Sequence, residues 1–166
     1  MGKASKTVKT NALRIVAAEG IKHEVLTYPT DDGALDGVSV AAKIDMPMEN
    51  VYKTLVTRGN GNQIYVFVIP VAETLDLKSA AQVVGAKRVE MVHVSEITPL
   101  TGYVKGGCSP IGMKKHYPTY IDASCLHLEK IVVSAGKIGI QLVIEPEALI
   151  RLVSANTTAL TQRPLY

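Results

Sequence analysis

Residues 51–70, VYKTLVTRGNGNQIYVFVIP, predict a β-hairpin around which the rest of the chain must be arranged. Two runs rich in β-branched residues flank Asn60-Gly61, a dipeptide that favours the tight turn between antiparallel strands. The second run, from Ile64 to Ile69, is apolar on both alternating faces, so we expect a strand that is buried on both sides. The hairpin therefore predicts a sheet with a central strand covered on each face.

The rest of the chain mixes helical and strand patterns without a regular alternation. Helical spacing and capping residues predict helices over 10–20, 39–45, 76–86 and 146–155, with Ser39 and Asp76 as N-caps. Strand patterns cover 21–29, 119–125, 130–136 and 139–144, whereas 88–93 fits a short strand or the start of a further helix. This order predicts an α+β fold, or a mixed sheet curled around a pocket, rather than a doubly wound fold.

Size and composition indicate one globular domain. A chain of 166 residues, with 47% hydrophobic and 20% charged residues, fits a single domain. No run reaches the roughly 18 apolar residues of a membrane span, and the N-terminus lacks the apolar stretch of a secretory signal. We expect residues 1–8 to be a short flexible tail, followed by one domain over 9–160. The widely spaced Cys108 and Cys125 match no disulfide or zinc pattern, which favours a cytoplasmic protein with reduced thiols.

Motifs for common cofactor and metal chemistry are absent from the sequence. No nucleophile elbow, Walker loop or dinucleotide fingerprint occurs. The four histidines lack metal-ligand spacing, and the carboxylates show no paired arrangement suited to acid–base catalysis. We therefore expect neither a cofactor nor a metal. The net charge of +3 permits a polyanionic partner, and the scattered aromatic residues favour contact with one end or one nucleotide of a nucleic acid.

Lys53 lies in a strand row that is otherwise mainly apolar. Alternation places Lys53 on the same face as Val51 and Leu55. Thr54 points the opposite way if the strand is regular. A lysine in such a row either snorkels at the sheet margin or binds an anion or a carbonyl group at a pocket wall. The strand pattern leaves both interpretations open, and the first is the more common one.

The segment GYVKGGCSPIGM, residues 102–113, combines four glycines with a proline, a serine and Cys108. It can be neither a good helix nor a central strand. One interpretation is a structural turn, and the other is a loop whose N–H groups form a concave nest for an oxyanion or a phosphate. A thiolate nucleophile at Cys108 is a third interpretation. No His/Asp partner pattern accompanies it, which favours a small buried cysteine.

Five sequence blocks occur in order over roughly residues 10–155. They are VYKTL (51–55), PVAETLDLKSAAQVVGAKRVEM (70–91), TGYVKGGCSPIGMKK (101–115), PTYIDAS (118–124) and VSAGKIG (133–139). Together they resemble the YbaK/EbsC family of free-standing aminoacyl-tRNA editing proteins, which are related to the editing domain of bacterial prolyl-tRNA synthetases. The resemblance implies a mixed, barrel-like β-sheet with flanking helices, and a pocket for the 3′-terminal adenosine and its amino acid.

The resemblance also implies roles for individual residues. Lys53 matches the family's essential lysine, and Gly106 begins its G-x-x-x-P loop, whose backbone faces the aminoacyl carbonyl, so both are implied to be catalytic. The implied substrate-binding residues are Tyr28, Thr54, Gly107, Cys108, Ser109, Pro110 and Ser134. Two departures bear on amino acid preference. Gln141 stands where close relatives carry an aspartate, and the chain is slightly shorter around Leu35 than relatives with a pocket phenylalanine.

The activity implied by the resemblance is deacylation of mischarged Cys-tRNA(Pro) in trans, by cleavage of the aminoacyl ester. Editing of Ala-tRNA(Pro) or of another mischarged tRNA is an alternative, and so is a non-catalytic module that binds the tRNA end. The implied partners are the acceptor end of tRNA(Pro) and prolyl-tRNA synthetase, with no cofactor, metal or membrane. In the mechanism that the resemblance implies for a cysteinyl ester, the thiol of the amino acid attacks its own carbonyl and forms a thiolactone.

Overall fold

The computed structural model describes residues 9–162, so the expected tail over residues 1–8 lies outside the described part. The strands are β1 (His23–Thr27), β2 (Tyr52–Arg58), β3 (Ile64–Pro70), β4 (Glu90–Met91), β5 (Thr119–Asp122), β6 (Ile131–Lys137), β7 (Ile140–Ile144) and β8 (Asn156–Thr158). The α-helices are α1 (Asn11–Ala18), α2 (Gly37–Lys43), α3 (Leu77–Val84), α4 (Val94–Thr101) and α5 (Pro146–Val153). Within residues 9–162, none of these helices has the length and apolarity needed to cross a lipid bilayer.

The predicted hairpin is present as β2 and β3. The two strands pair antiparallel along their whole length, with Val56 opposite Val66 near the centre. Gly61 in the turn has a φ of +66°, a left-handed conformation that glycine adopts without steric cost. β3 is the middle strand of a five-stranded sheet with the order β4-β2-β3-β5-β8, and it is buried as its sequence predicted.

Alternate side chains of β3 pack into separate apolar clusters on the two faces of this sheet. Val66 and Val68 pack in a cluster that includes α1, α5 and strands of a second sheet. Phe67 and Ile69 pack with α3 and Leu160 on the other face. Complete burial of one such side chain stabilises the fold by about 1.5–3 kcal/mol relative to leaving it exposed. β3 is therefore a principal anchor of the core.

The second sheet is three-stranded and antiparallel, with the order β1-β7-β6. It meets the first sheet where Val51 forms a parallel bridge with Val132 of β6. The larger sheet is mixed, since β3 and β5, and β5 and β8, run parallel. The α+β class and the mixed sheet are thus confirmed. The barrel-like closure is not confirmed, because the strands of residues 9–162 form two sheets joined at that bridge and no closed barrel.

One predicted N-cap differs from the structure, and one helix was not predicted. Helix α2 begins at Gly37 and is capped by Asp36 rather than by Ser39. The Asp36 carboxylate accepts the Ser39 N–H at 3.1 Å and the Ser39 hydroxyl at 2.7 Å. Residues 88–93 contain the short strand β4, and helix α4 after it was not predicted. That helix contains Pro99 and β-branched residues, which are poor helix signals.

Candidate active site

A cavity of about 240 Å³ lies beside the first half of β2. Its other walls are the segment from Tyr28 to α2, the glycine-rich loop around Gly106, and the paired strands β6 and β7. Among the described residues that line it, the charged ones are Lys53 and Lys105, and none is a carboxylate or a histidine. This lining favours a ligand that carries negative charge or an electron-rich oxygen.

Six of the nine residues implied as site residues line this cavity, and three do not. The six are Tyr28, Lys53, Thr54, Gly106, Cys108 and Ser134. The other three are Gly107, Ser109 and Pro110, which lie in the same glycine-rich loop as Gly106 and Cys108. The fold therefore brings four separate stretches of sequence to one site.

Of the three remaining residues, Gly107 and Ser109 hold the loop in place. Gly107 packs so closely against the turn between β6 and β7 that an added Cβ atom would lie 2.8 Å from the Ile138 nitrogen. Its N–H donates to the Val104 carbonyl at 3.0 Å. Ser109 is fully buried, and its hydroxyl accepts a backbone N–H two residues further on. Pro110 borders a different, smaller cavity. These contacts support the shape of the loop rather than the cavity wall.

Lys53 brings an ammonium group to the cavity with no carboxylate to balance it. The residue is only partly exposed, and no hydrogen bond or ion pair joins its side chain to another residue of the described part. Desolvation by burial lowers the pKa of Lys53 from its ordinary value, and no neighbouring charge counteracts this effect. A desolvated cation without a partner is costly. Such an arrangement is typical of a site whose ligand supplies the negative charge.

Lys53 and Thr54 both line the cavity because the cavity borders the edge of β2 rather than one face. On that edge the Val56 carbonyl accepts the N–H of Val92 at 3.2 Å. Backbone groups two residues apart in an antiparallel strand point to the same side, so the N–H and C=O of Thr54 point to the cavity edge. The Thr54 hydroxyl is also buried, without a hydrogen-bond partner among the described residues. Thr54 thus offers its backbone N–H and C=O to a ligand, whereas its hydroxyl is enclosed by the protein.

The glycine-rich loop contributes two free amides. The backbone N–H groups of Gly106 and Cys108 donate to no other residue within 9–162, whereas the amide of Gly107 between them is bound to Val104. Gly106 has a φ of +87°, which shapes this turn and is accessible to glycine. Free amides in such a turn are donors for a carbonyl oxygen or an oxyanion.

The thiol of Cys108 borders the cavity but is not activated for nucleophilic attack. Burial raises the pKa of Cys108 to about 11, and the nearby Thr101 side chain offsets this only in part. The thiol is therefore neutral near pH 7, whereas a nucleophilic cysteine reacts as the thiolate. Cys108 is the small buried cysteine that the sequence favoured.

Gln141 also lines the cavity, although the sequence marked it only as a departure from the family pattern. It is 6% exposed and lies opposite Ser134 in the pairing of β6 and β7. Its side-chain amide makes no hydrogen bond to another described residue. The sequence signal that could have identified Gln141 as a cavity residue is its polar side chain within the otherwise apolar strand IQLVI. Leu35 and Lys105 also line the cavity, but no comparable pattern in the sequence marks them.

Known proteins resemble this chain in sequence. The aminoacyl-tRNA editing domain, as a family, matches residues 33–152. The "Putative Cys-tRNA(Pro)/Cys-tRNA(Cys) deacylase EbsC" of Enterococcus faecalis is 39% identical over 163 residues, which are 98% of this chain and 99% of that protein. The uncharacterized protein YwhH of Bacillus subtilis is 23% identical over 128 residues, which are 77% of this chain and 80% of the YwhH chain.

A solved structure also resembles it in fold. That structure, described as "a putative trans-editing enzyme for prolyl tRNA synthetase", has a TM-score of 0.81 at 23% identity. The superposition covers 95% of this chain and 100% of that chain, and at this identity it shows the fold alone. The family match, and the 39% identity with EbsC over nearly the full length of both chains, show in addition that this chain and the family are homologous. On this combined basis, the chain belongs to the aminoacyl-tRNA editing domain family.

Proposed function

We propose that this protein is an aminoacyl-tRNA deacylase that clears Cys-tRNA(Pro) in trans by cleaving the aminoacyl ester. The observation that carries the proposal is one cavity lined by Lys53, Gly106 and Cys108, with no acidic side chain among its described lining residues and with the amides of Gly106 and Cys108 free of described acceptors. The choice of a cysteinyl ester rests on the similarity to EbsC. The proposed substrate places the protein in the cytoplasm, where translation takes place.

The free amides and Lys53 have complementary roles in this proposal. An aminoacyl ester is already activated, so its cleavage needs less help than that of an amide. The amides of Gly106 and Cys108 stabilise the charge that develops on the carbonyl oxygen, and one such donor is typically worth about 10²–10³ in rate. Lys53 holds the phosphate or sugar of the terminal adenosine, or polarises the ester. It acts as an electrostatic and binding group rather than as a general base.

In the mechanism that the family resemblance implies, the nucleophile comes from the substrate, and a described lining without a thiolate, carboxylate or histidine fits this role. In a cysteinyl ester, the thiol sulfur attacks the carbonyl carbon, and the bond from that carbon to the ribose oxygen breaks. The thiol proton passes to the departing ribose oxygen. The products are tRNA(Pro) with a free hydroxyl and cysteine as its thiolactone. Such an intramolecular attack depends mainly on orientation, whereas an alanyl ester needs a positioned water.

Basic residues of the glycine-rich loop and its continuation suit the acceptor end of tRNA(Pro): Lys105 lines the cavity, whereas Lys115 and His116 border the second, smaller cavity. Those in the loop that carries Gly106 are Lys105, Lys114, Lys115 and His116, and all four are exposed. Neutralisation of phosphates by such residues gives affinity that falls as salt rises. Because these groups are few, we propose weak tRNA binding, and a role for prolyl-tRNA synthetase in raising the local concentration of mischarged tRNA.

A deacylation panel with Cys-, Ala- and Ser-tRNA(Pro) under single-turnover conditions tests the proposal. We expect the cysteinyl ester to be cleaved fastest and to release the thiolactone, which mass spectrometry identifies. Faster cleavage of Ala-tRNA(Pro) would reassign the substrate. Binding of all three aminoacyl-tRNAs without cleavage would replace the enzyme with a module that binds the tRNA end.

A further inference from the structure

One wall of the cavity is a segment that belongs to neither sheet. Residues 28–36 connect β1 to α2, and Tyr28 and Leu35 line the cavity from this segment. At its start, the Tyr28 N–H donates to the Gly139 carbonyl at 3.0 Å. From residue 29 to residue 35, the only hydrogen bonds to other parts of the described chain are those of Lys43. Tyr28 and Leu35 also pack in an apolar cluster with α2, so Lys43 is the one polar anchor of residues 29–35 among the described residues.

Lys43, the last residue of α2, uses all three of its ammonium donors on the segment. Its Nζ donates to the Asp32 carboxylate at 2.7 Å, to the Pro29 carbonyl at 2.8 Å and to the Ala34 carbonyl at 2.9 Å. The Lys43 side chain is 14% exposed. Nζ also lies 5.9 Å from the centre of the Tyr28 ring, within range of a cation–π contact.

Asp32 reinforces this arrangement from the solvent side. Its Oδ1 also accepts the Ala34 N–H at 3.0 Å, so one carboxylate oxygen ties the ammonium to the loop backbone. The hydrogen bond from Lys43 is the main reason that the pKa of Asp32 is lowered. The Asp32 side chain is exposed, and exposed ion pairs contribute little by themselves. The two carbonyl contacts of Lys43 therefore matter most for the position of the segment.

We propose that Lys43 is a positioning residue that sets the size selectivity of the cavity by clamping this wall. The inference rests on the proposed function, and it assigns Lys43 no contact with the substrate, since Lys43 does not line the cavity. An apolar wall rejects a larger side chain only while it cannot yield. The clamp fixes the Leu35 side of the segment through Ala34, and the Gly139 contact fixes the Tyr28 side.

The experiment compares wild type with Lys43→Met, which keeps the side-chain length and removes the donors, and with Asp32→Ala, a milder change at an exposed position. Lys78→Met is the matched control, because Lys78 is exposed on α3 and does not line the cavity. Each protein is assayed on tRNA(Pro) charged with cysteine or leucine by an aminoacylating ribozyme. Amide hydrogen exchange over residues 28–36 is measured on the same proteins without tRNA.

We expect Lys43→Met to raise the leucyl-to-cysteinyl ratio of kcat/KM about tenfold, because a yielding wall gives up size discrimination of that order. The change should come from a lower KM for the leucyl ester, with kcat for the cysteinyl ester nearly unchanged. Asp32→Ala should shift the ratio in the same direction by less, and Lys78→Met should not shift it. Exchange should accelerate over residues 28–36 alone in Lys43→Met.

An unchanged ratio in an active Lys43→Met enzyme would overturn the inference, as would unchanged exchange over residues 28–36. If Lys43→Met does not fold, Lys43→Gln, which keeps only an amide donor, takes its place, and an unchanged ratio with unchanged exchange in that variant has the same consequence. Failure of the proposed function would give a different result, because wild type would then cleave none of the esters. The exchange measurement would still decide whether Lys43 clamps the wall.

Discussion

At the scale of single residues, the site is built from polar groups that have little internal compensation. Lys53 has a lowered pKa and no described partner, and the Thr54 hydroxyl is buried without one. The amide of Gln141 also lacks a hydrogen-bond partner among the described residues. Such groups destabilise the free protein, and in the proposed function the substrate supplies their missing partners. Their replacement by apolar side chains should therefore stabilise the fold while it weakens function.

Lys53→Met should make the protein more stable. Removal of the desolvated ammonium should raise the free energy of unfolding by about 1 kcal/mol and Tm by roughly 2–4 °C. Burial lowers the pKa of Lys53 in the folded protein below its value in the unfolded chain. The destabilisation by the buried ammonium is therefore complete at a pH below the folded pKa, and it disappears as pH rises toward the unfolded pKa. The gain measured by denaturant titration should thus be largest near neutral pH and shrink in alkaline solution. A gain of the same size in exposed Lys78→Met would contradict this explanation.

Cys108→Ala should retain deacylation. The pKa of the buried thiol is raised to about 11, so it contributes no thiolate near pH 7, and in the native protein it should react with iodoacetamide far more slowly than after unfolding. At a pH between the pKa of this thiol in the unfolded chain and about 11, only the unfolded chain carries the thiolate. The stability that the buried neutral thiol contributes is therefore lost as pH rises toward 11. Loss of deacylation in a folded Cys108→Ala protein would restore the thiol-nucleophile interpretation.

Gln141→Leu should lower kcat/KM for the preferred ester by about tenfold, because loss of one hydrogen bond to the substrate costs about 1–1.5 kcal/mol. Its thermal stability should stay the same or rise, since the buried amide has no described partner to lose. Gln63→Leu, at an exposed position away from the cavity, is the control. Steady-state kinetics and thermal melts check both effects. A destabilised Gln141→Leu protein with normal kinetics would show that Gln141 is structural.

At the scale of elements, the sequence predicted correctly the helices and strands that are determined by short-range contacts. The hairpin was confirmed, and so was α3 with Asp76 at its N-cap and Gly85 at its C-cap, because turn and cap residues act over a few positions. Helix α4 also has cap residues, Glu96 near its start and Gly102 at its C-cap, but Pro99 inside it argues against a helix, and it was not predicted. The glycine-rich loop was expected to be irregular. Which of its amides are free could not be predicted, because that depends on how Gly107 packs against a distant turn.

Gly107→Ala tests whether that packing positions the amides. The added Cβ atom would meet the backbone of residues 137 and 138 at 2.8–3.1 Å, so the loop must shift, at a cost of about 1–3 kcal/mol. Gly61→Ala is a control with a strained φ of +66° but open space around it. We expect both variants to lose stability in thermal melts. Only Gly107→Ala should lose deacylation beyond what its stability explains, and equal losses of activity in both would count against the role of the loop.

At the scale of the whole molecule, the site depends on contacts between distant segments. Alternation along β2 separates Lys53 from Thr54, and it cannot show that the cavity borders the strand edge and therefore takes both residues. The choice between a closed barrel and two sheets also depends on how β2 meets β6, through a bridge whose partners are far apart in sequence. The resemblance to a known family supplied the expectation that Lys53 and Gly106 share a pocket, which neither local pattern contains.

The most direct test of this account is the single-turnover rate of Cys-tRNA(Pro) deacylation by wild type and Lys53→Met, with Lys78→Met as the control. Loss of an electrostatic group at a developing charge typically costs about 10²–10³ in rate, so Lys53→Met should be slower by at least 10²-fold while Lys78→Met matches wild type. Circular dichroism and melting curves establish that the variants are folded. A folded Lys53→Met protein that cleaves the ester at the wild-type rate would contradict the central claim that the ester is cleaved in the cavity shared by Lys53 and the Gly106 loop.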